Sequence, residues 1–189
     1  MPRIENVEVY GLKGSFRASK FPMKADTADA NDDYTEVIEG LANTPIGSGH
    51  DNFLNGIIVQ FDLTGSTKFW LQGERYHFFD FVSSQSTMHC ISRFGIRKMC
   101  NKYVDEIILR RVEDIKQEYL ANKTEENFLR LIYNIPSGFE LTARMTTNYR
   151  QLKTMYAQRK RHRLPDWKYI CHWIESLPYV SLITGDKID

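Results

Sequence analysis

The chain has 189 residues, of which 42% are hydrophobic and 13% aromatic, and its formal net charge at pH 7 is +1. This length and composition exclude a disordered chain and indicate one folded domain, over residues 1–189, with a sizeable core. The small net charge gives no general attraction to nucleic acid, and no apolar run approaches the ~20 residues that a membrane span needs. Three scattered cysteines without a CxxC pair (Cys90, Cys100 and Cys171) fit a reducing cytoplasm, which is the expected location.

The first third of the chain predicts short elements. Residues 4–12 alternate enough for an edge strand, residues 24–36 predict an acidic loop, and residues 36–41 predict a short helix. The sequence GSGHDN then predicts a turn around His50. Because the neighbouring glycines let the backbone approach a ligand closely, His50 is a candidate ligand-positioning imidazole. The alternative is a loop histidine without a role.

Residues 56–64 (GIIVQFDLT) are the best strand of the chain, with β-branched and apolar side chains along one face. Ser66 is a suitable N-cap for a helix that we extend to about His77 and that would carry Gln72, Arg75 and His77. A strand followed within a few residues by a helix with anion-binding side chains is a common way to hold a phosphate. The run SSQST at 83–87 predicts a polar loop that could wrap an oxyanion or could be a plain turn.

The second half of the chain predicts mostly helices. Residues 97–121 predict one long amphipathic helix and residues 125–133 a second. Residues 139–146 alternate between apolar and polar and predict a half-buried strand. Asn148 is a plausible N-cap for a helix to about His162, and Pro165 begins a last helix through Ser176. Strands and helices in this order indicate an α+β protein.

The predicted helix after Asn148 is rich in basic residues. Arg159 could project from it toward an anionic ligand. One alternative is a solvated basic face, and another is a nucleic-acid patch, which the small net charge disfavours. No metal site is expected, because His77, His89 and Cys90 match no zinc spacing.

Two segments of the chain, about 60 residues together, carry a family resemblance. The first has a Gly-His turn, a phenylalanine that ends a strand, a glutamine, and a triplet three residues later: Gly49-His50, Phe61, Gln72 and Arg75-Tyr76-His77. The second has an asparagine, an arginine two residues on, a further arginine, a proline upstream and a tryptophan downstream: Asn148, Arg150, Arg159, Pro136 and Trp167. In this order and spacing the chain resembles the flavin-dependent thymidylate synthases, and more closely a divergent, phage-like branch of that family.

The resemblance implies a central, mainly antiparallel sheet flanked by helices and a homotetramer with sites between subunits. It implies that FAD, reduced by NADPH, and methylenetetrahydrofolate convert dUMP to dTMP without a cysteine nucleophile. Arg75 and Arg159 would be the catalytic residues and would bind the nucleotide together with Gln72. The remaining implied roles are phosphate binding by Ser84, Gln85 and Ser86, and flavin binding by His50, Tyr76, His77 and Asn148.

The chain departs from the family pattern at the triplet and at the loop that follows it. The family triplet is Arg-His-Arg, whereas here Tyr76 and His77 stand at its second and third positions. The family loop has a glutamate, best matched here by Gln85, and a closing Arg-Tyr that this chain lacks. Because fixed charge is missing from both elements, two alternatives stay open: a pyrimidine hydroxymethylase of phage nucleotide metabolism, and an inactive nucleotide-binding module.

Overall fold

A computed structural model describes residues 2–45 and 47–185. Its centre is a four-stranded antiparallel sheet in the order β1-β2-β4-β3. The strands are β1 (Arg3–Tyr10), β2 (Ile58–Ser66), β3 (Phe79–Ser84) and β4 (Glu140–Asn148). The helices are α1 (Leu12–Ser19), α2 (Glu36–Ala42), α3 (Thr67–Gly73), α4 (Thr87–Cys90), α5 (Ile96–Met99), α6 (Glu106–Ala121), α7 (Glu125–Tyr133), α8 (Tyr149–Arg159), α9 (Pro165–Ile174) and α10 (Ser181–Thr184). Short 3₁₀ turns lie at Phe21–Met23, Thr27–Asp29 and Asn52–Gly56. The predicted α+β class with a central antiparallel sheet is confirmed.

The main core lies between one face of the sheet and helices α8 and α9. Alternating residues of β2 and β4 point into it, and each fully buried Val, Leu, Phe or Met side chain stabilises the fold by about 1.5–3 kcal/mol. The buried residues include Val59, Phe61, Leu63, Ala143, Met145, Leu152, Met155, Trp167, Ile170 and Ile174. A second, smaller cluster joins α6 and α7 to the start of β4 through Val112, Ile115, Leu131 and Phe139.

Several predicted elements are confirmed. β1 is an edge strand, α2 lies at the predicted short helix, and α7 spans the predicted residues 125–133. β2 and β4 overlap the two predicted strands, although β2 continues through Ser66. Ser66 caps α3 as predicted, since its side chain accepts a hydrogen bond from the amide of Phe69 at 3.1 Å.

The prediction of a helix reaching His77 is wrong. α3 ends at Gly73, and Tyr76 donates its amide to the Gly73 carbonyl in a turn. The helix ends here because Phe79, which is 3% exposed, enters the core and begins β3 opposite Thr147. The triplet at 75–77 therefore lies in a turn, and the sequence did not predict strand β3.

The prediction of one helix over 97–121 is also wrong. α5 ends at Met99, and the next residues pair with the segment before β4 through the amide of Asn101 and the carbonyl of Gly138 at 2.9 Å. Asp105 then caps a separate helix, α6, by accepting a hydrogen bond from the amide of Ile107 at 2.8 Å. Backbone pairing and a new N-cap together interrupt the helical periodicity.

Candidate functional site

Helix α8 begins where β4 ends, and Asn148 makes this junction. Its Oδ1 accepts a hydrogen bond from the amide of Gln151 at 2.8 Å, so the predicted N-cap is confirmed. Asn148 pairs with Ile58 across the sheet and is 7% exposed. The cap and the strand pairing thus fix the position at which α8 begins relative to the sheet.

Arg159, in the last turn of α8, is held by aromatic side chains. Its Nε donates to the Tyr76 hydroxyl at 2.6 Å, and its guanidinium carbon lies 4.7 Å from the centroid of the buried Trp167 ring. The same carbon lies 5.4 Å from the centroid of the Tyr76 ring. Cation–π contacts of this kind stabilise a guanidinium by about 0.5–2 kcal/mol. Within residues 2–45 and 47–185 the two terminal nitrogens of Arg159 make no hydrogen bond, so they can donate to an anion.

Tyr76 and Gln72 complete this arginine cluster, which consists of Gln72, Tyr76, Gln158, Arg159 and Trp167. The Tyr76 hydroxyl donates to Oε1 of Gln158 at 2.9 Å, and its ring packs edge-on against Trp167 with centroids 5.6 Å apart. Oε1 of Gln72 accepts from the Trp167 indole nitrogen at 2.9 Å, which leaves the Gln72 amide nitrogen as a donor. The structure therefore brings together three predicted site residues, Gln72, Tyr76 and Arg159.

Arg75 and His77, the other two members of the triplet, are exposed to solvent. In the described part of the chain neither side chain makes a hydrogen bond or an ion pair. The structure therefore shows no polar contact between either side chain and the arginine cluster within these residues.

The predicted polar loop at 83–87 is largely wrong. Ser84 ends β3, and Gln85 extends the pairing with β4, since its amide donates to the Thr142 carbonyl at 2.9 Å. The Gln85 side chain takes the place of a backbone carbonyl in this pairing, because its Oε1 accepts a hydrogen bond from the Thr142 amide at 2.9 Å. Ser86 precedes α4 without capping it through its side chain. The side-chain oxygen of Gln85 is thus used by the fold.

A polar cavity of about 180 Å³ lies beside the start of α8. Three amide side chains, two charged groups, a threonine and an aromatic ring line it: Asn55, Asn148, Gln151, Asp51, Arg150, Thr154 and Phe78. His50 is exposed on the turn that leads directly into this wall. The structure therefore brings Asn148 to the cavity and His50 next to its rim.

Asp51 and Phe78 are residues of this cavity that the sequence did not single out. Asp51 is 1% exposed and forms ion pairs with Arg150 Nε at 3.2 Å and Lys153 Nζ at 3.0 Å. Lys153 also donates to the carbonyl of Thr44 at 3.0 Å, which ties the Gly-rich turn to α8. The sequence does contain a signal for this pairing. Arg150 and Lys153 lie one helical turn apart, and the acidic Asp51 lies in a glycine-rich turn.

The rest of the basic run is solvated, as one of the alternatives expected. Lys160, Arg161 and Arg163 are exposed, whereas Arg159 is half-buried. His162 accepts a hydrogen bond on Nδ1 from the amide of Leu164 at 3.1 Å. Burial, and then the positive charge of Arg159, lower the pKa of His162, so this imidazole is mainly neutral at pH 7.

The thiols of the half-buried Cys100 and the buried Cys171 are poor nucleophiles. Burial raises the pKa of Cys100 and of Cys171 to about 11, so both are protonated at neutral pH. Across residues 2–45 and 47–185 no group of three or more His, Cys, Asp or Glu side chains is placed to hold a metal ion. Over the same residues no helix has the length and hydropathy needed to cross a bilayer.

Comparisons with known proteins find similarity in structure only. No protein-family model and no curated protein matches this sequence. Thymidylate synthase X from Helicobacter pylori, in a structure with FAD and dUMP, superposes with a TM-score of 0.79 at 13% identity, covering 98% of each chain. A second structure of that enzyme with FAD and dUMP gives a TM-score of 0.77 at 12% identity, over 97% of this chain and 98% of the other.

A third neighbour is a UMP/dUMP methylase, PolB from Streptomyces cacaoi, bound with 5-Br dUMP. It gives a TM-score of 0.67 at 13% identity and covers 93% of this chain and 88% of its own. At such low identity the likeness establishes the architecture and leaves the activity to be argued from the site. The chain has the fold of the flavin-dependent thymidylate synthases over nearly its whole length.

Proposed function

We propose that this protein binds a pyrimidine deoxynucleotide, dUMP, together with FAD, and that it transfers a one-carbon unit to the pyrimidine ring. The observation that carries the proposal is the arginine cluster, in which Arg159 is pre-oriented while its terminal nitrogens stay unpaired within the described residues. This cluster lies on a fold whose neighbours were solved with FAD and dUMP. Catalytic roles for Arg75 and Arg159 are part of the proposal.

Arg159 is suited to bind the anionic nucleotide because its guanidinium is already oriented before the ligand binds. Hydrogen bonds from a charged donor contribute about 1.5–3 kcal/mol each, and less is lost to side-chain ordering when the donor is held in place. The rings of Tyr76 and Trp167 both contact this guanidinium, and the Tyr76 hydroxyl accepts from its Nε. Gln72 offers its amide nitrogen beside the same tryptophan. Ser84 and Ser86, close to the end of β3, are proposed as phosphate donors.

The amide groups that line the cavity beside Asn148 suit the edge of a flavin ring. Amide groups donate and accept hydrogen bonds side by side, which matches a planar ring whose edge alternates carbonyl and N–H groups. Asn55, Asn148 and Gln151 supply these amides, and His50, Tyr76 and His77 are proposed as further flavin contacts. When bound, FAD would supply the hydride that reduces the transferred carbon unit, with NADPH and methylenetetrahydrofolate as co-substrates.

The size of this cavity supports an assembly. Small-molecule pockets enclose roughly 300–1,000 Å³, whereas the cavity of one chain encloses about 180 Å³. One subunit can therefore surround only part of a dinucleotide. A second copy of the chain would supply the remaining wall, in agreement with the homotetramer that the resemblance implies.

The altered triplet lowers the expected rate of thymidylate formation. Tyr76 is a neutral residue whose hydroxyl is engaged by Arg159 and Gln158, and His77 replaces a fixed arginine charge. Removing one donor that stabilises developing negative charge costs about 100- to 1,000-fold in rate. We therefore expect dTMP formation from dUMP to be slow or undetectable in the unmodified protein.

Two titrations and one assay test the proposal. Titration of the purified protein with FAD, followed by the visible absorbance of the flavin, should saturate, and calorimetry should detect dUMP binding. No saturable binding of either ligand at tens of micromolar would overturn the proposal. With both ligands bound and methylenetetrahydrofolate and NADPH supplied, the double variant Tyr76→His with His77→Arg should form dTMP faster than the unmodified protein. Brisk dTMP synthesis by the unmodified protein would contradict the argument from the triplet.

The same altered triplet favours a second candidate function. A site that has lost fixed charge but keeps Arg159 could transfer the carbon unit without its reduction, as a pyrimidine hydroxymethylase does, or could bind the nucleotide without reaction. Mass spectrometry of the nucleotide after incubation with methylenetetrahydrofolate and either dUMP or dCMP distinguishes these cases. A gain of a hydroxymethyl group supports the hydroxymethylase, and an unchanged nucleotide that still binds supports the binding module.

A further inference from the structure

Phe78 occupies a backbone conformation that bulky residues rarely adopt. Its φ is +58°, in the left-handed region that favours glycine. Two other non-glycine residues of the described chain have positive φ, Asn6 and Tyr179. Asparagine tolerates this region, and Tyr179 packs against Phe16 and Tyr34, with ring centroids 5.1 and 4.7 Å away. Local packing thus compensates the strain at Tyr179.

No aromatic packing of this kind is found at Phe78 within the described residues. Its side chain is 63% exposed and packs on no other aromatic ring there. The turn at Phe78 directs the neighbouring Phe79 into the core. Glycine would make the same turn without strain. The phenylalanine ring must therefore contribute something that the isolated chain does not use.

The ring of Phe78 forms the apolar part of the wall of the polar cavity described above. The other lining residues are amides, charged groups and a threonine. An exposed aromatic ring beside convergent amides is the arrangement that recognises a planar heteroaromatic ligand, since the ring covers its face while the amides meet its edge. Backbone strain stored at such a place is typical of functional sites.

We propose that Phe78 stacks on the planar ring of the ligand in this cavity, and that it acts as a specificity residue for heteroaromatic rings of the flavin and pyrimidine class. This inference rests on the proposed function. Loss of one base–aromatic stack lowers affinity by about 5- to 100-fold. The affinity should depend on the aromatic character at position 78 and not on its bulk alone.

The test compares three substitutions by titration of the whole protein with FAD and, separately, with dUMP. Phe78→Leu keeps a bulky apolar side chain and Phe78→Gly removes the strain, and both should lose about 5- to 100-fold in affinity. Phe78→Trp should keep the affinity and should quench the fluorescence of bound flavin at least as strongly as the unmodified protein. Phe78→Gly should also raise the melting temperature, because it relieves the strained φ.

Two matched controls separate stacking from general effects. Tyr133→Ala removes an exposed aromatic ring on α7 that does not line the cavity, and Asn6→Gly changes a positive-φ residue on the edge strand β1; both should leave affinity unchanged. Loss of affinity for FAD alone assigns the flavin ring to Phe78, and loss for dUMP alone assigns the pyrimidine. Leu and Gly variants that bind both ligands like the unmodified protein would overturn the inference while the proposed function stands. An unmodified protein that binds neither ligand overturns both.

Discussion

Tyr76 has two effects on the arginine cluster. As a tyrosine it has no charge at neutral pH, yet its hydroxyl accepts from Arg159 and donates to Gln158. The guanidinium lies beside the Tyr76 ring and the Trp167 ring, which pack against each other. A residue that stands in place of the triplet's histidine therefore also orients an arginine of helix α8. This combination is favourable for binding an anion and unfavourable for stabilising charge that develops on a ring.

The first prediction concerns Arg159. Arg159→Ala should weaken dUMP binding by roughly 10- to 100-fold, because one or two charge-assisted hydrogen bonds are lost. Arg163→Ala is the matched control, since Arg163 is an exposed arginine four residues further along the chain and outside the arginine cluster. Calorimetric titration measures both. Equal losses at the two positions would favour a diffuse basic face over a specific site.

The second prediction concerns the pH dependence at His162. Burial, and then Arg159, lower the pKa of this histidine in the folded chain, so below about pH 6.5 the unfolded chain binds a proton that the folded chain does not. Stability is therefore fully present above that pH and is lost as pH falls toward the lowered pKa. His162→Asn, which keeps a short acceptor, should lose less melting temperature between about pH 7 and pH 5 than the unmodified protein. Identical slopes for the two proteins would contradict this assignment.

At the scale of elements, the sequence predicted those helices and strands whose own residues determine them and whose ends do not depend on contacts with distant segments. α7 has its own N-cap, Thr124, and its own apolar stripe, so its ends were predictable from the sequence. β2 is apolar along one face and lies in the middle of the sheet. In contrast, residues 100–105 have helical periodicity, but Cys100 and Asn101 pair with the segment before β4, a contact that only the folded chain creates.

β3 escaped prediction for a similar reason. Its sequence FDFVSS is short, one residue of it, Phe79, is buried, and a register shift separates Phe81 from Ser83. The same limit applies to the site. The order and spacing of Gln72, Tyr76 and Arg159 were readable from the sequence, whereas the buried pairing of Asp51 with Arg150 and Lys153 depends on how the turn docks on α8. The spacing of residues along the sequence does not show which distant segments pack against each other.

The third prediction separates the two roles of Asn148. Asn148→Ala removes the N-cap of α8 and should destabilise the protein by about 0.5–2 kcal/mol in urea unfolding. Asn148→Ser keeps an oxygen that can accept from the Gln151 amide, so its stability should stay close to that of the unmodified protein. FAD binding should weaken in both variants, because both lose the amide at the cavity. A serine variant with full affinity for FAD would restrict Asn148 to a capping role.

At the scale of the whole molecule, one edge of the sheet carries unusual apolar exposure. β3 is an edge strand, and unpaired edges with apolar side chains are surfaces that other chains cover. The exposed apolar residues on β3, on the turn before it and on its flanking helices are Leu71, Phe78, Phe81, Val82 and Met88. Phe78 belongs both to this surface and to the lining of the cavity beside Asn148. Assembly and cofactor binding should therefore depend on each other.

The fourth prediction tests this dependence. The protein should elute as an oligomer of its 22.2 kDa chain in size-exclusion chromatography with light scattering. Val82→Lys should shift it toward the monomer, because a buried ammonium without a partner opposes association. Ile107→Lys, an equally drastic change at an exposed residue of α6, should leave the oligomer intact.

If a second copy completes the cavity, the monomeric Val82→Lys variant should also lose affinity for FAD, although Val82 does not line the cavity. Raising the protein concentration should restore part of both the oligomer and the flavin binding, since mass action couples the two equilibria. A monomer that binds FAD as tightly as the oligomer would show that one chain suffices. In that case the cavity beside Asn148 would have to open to admit the ring, and the exposed edge would serve another partner.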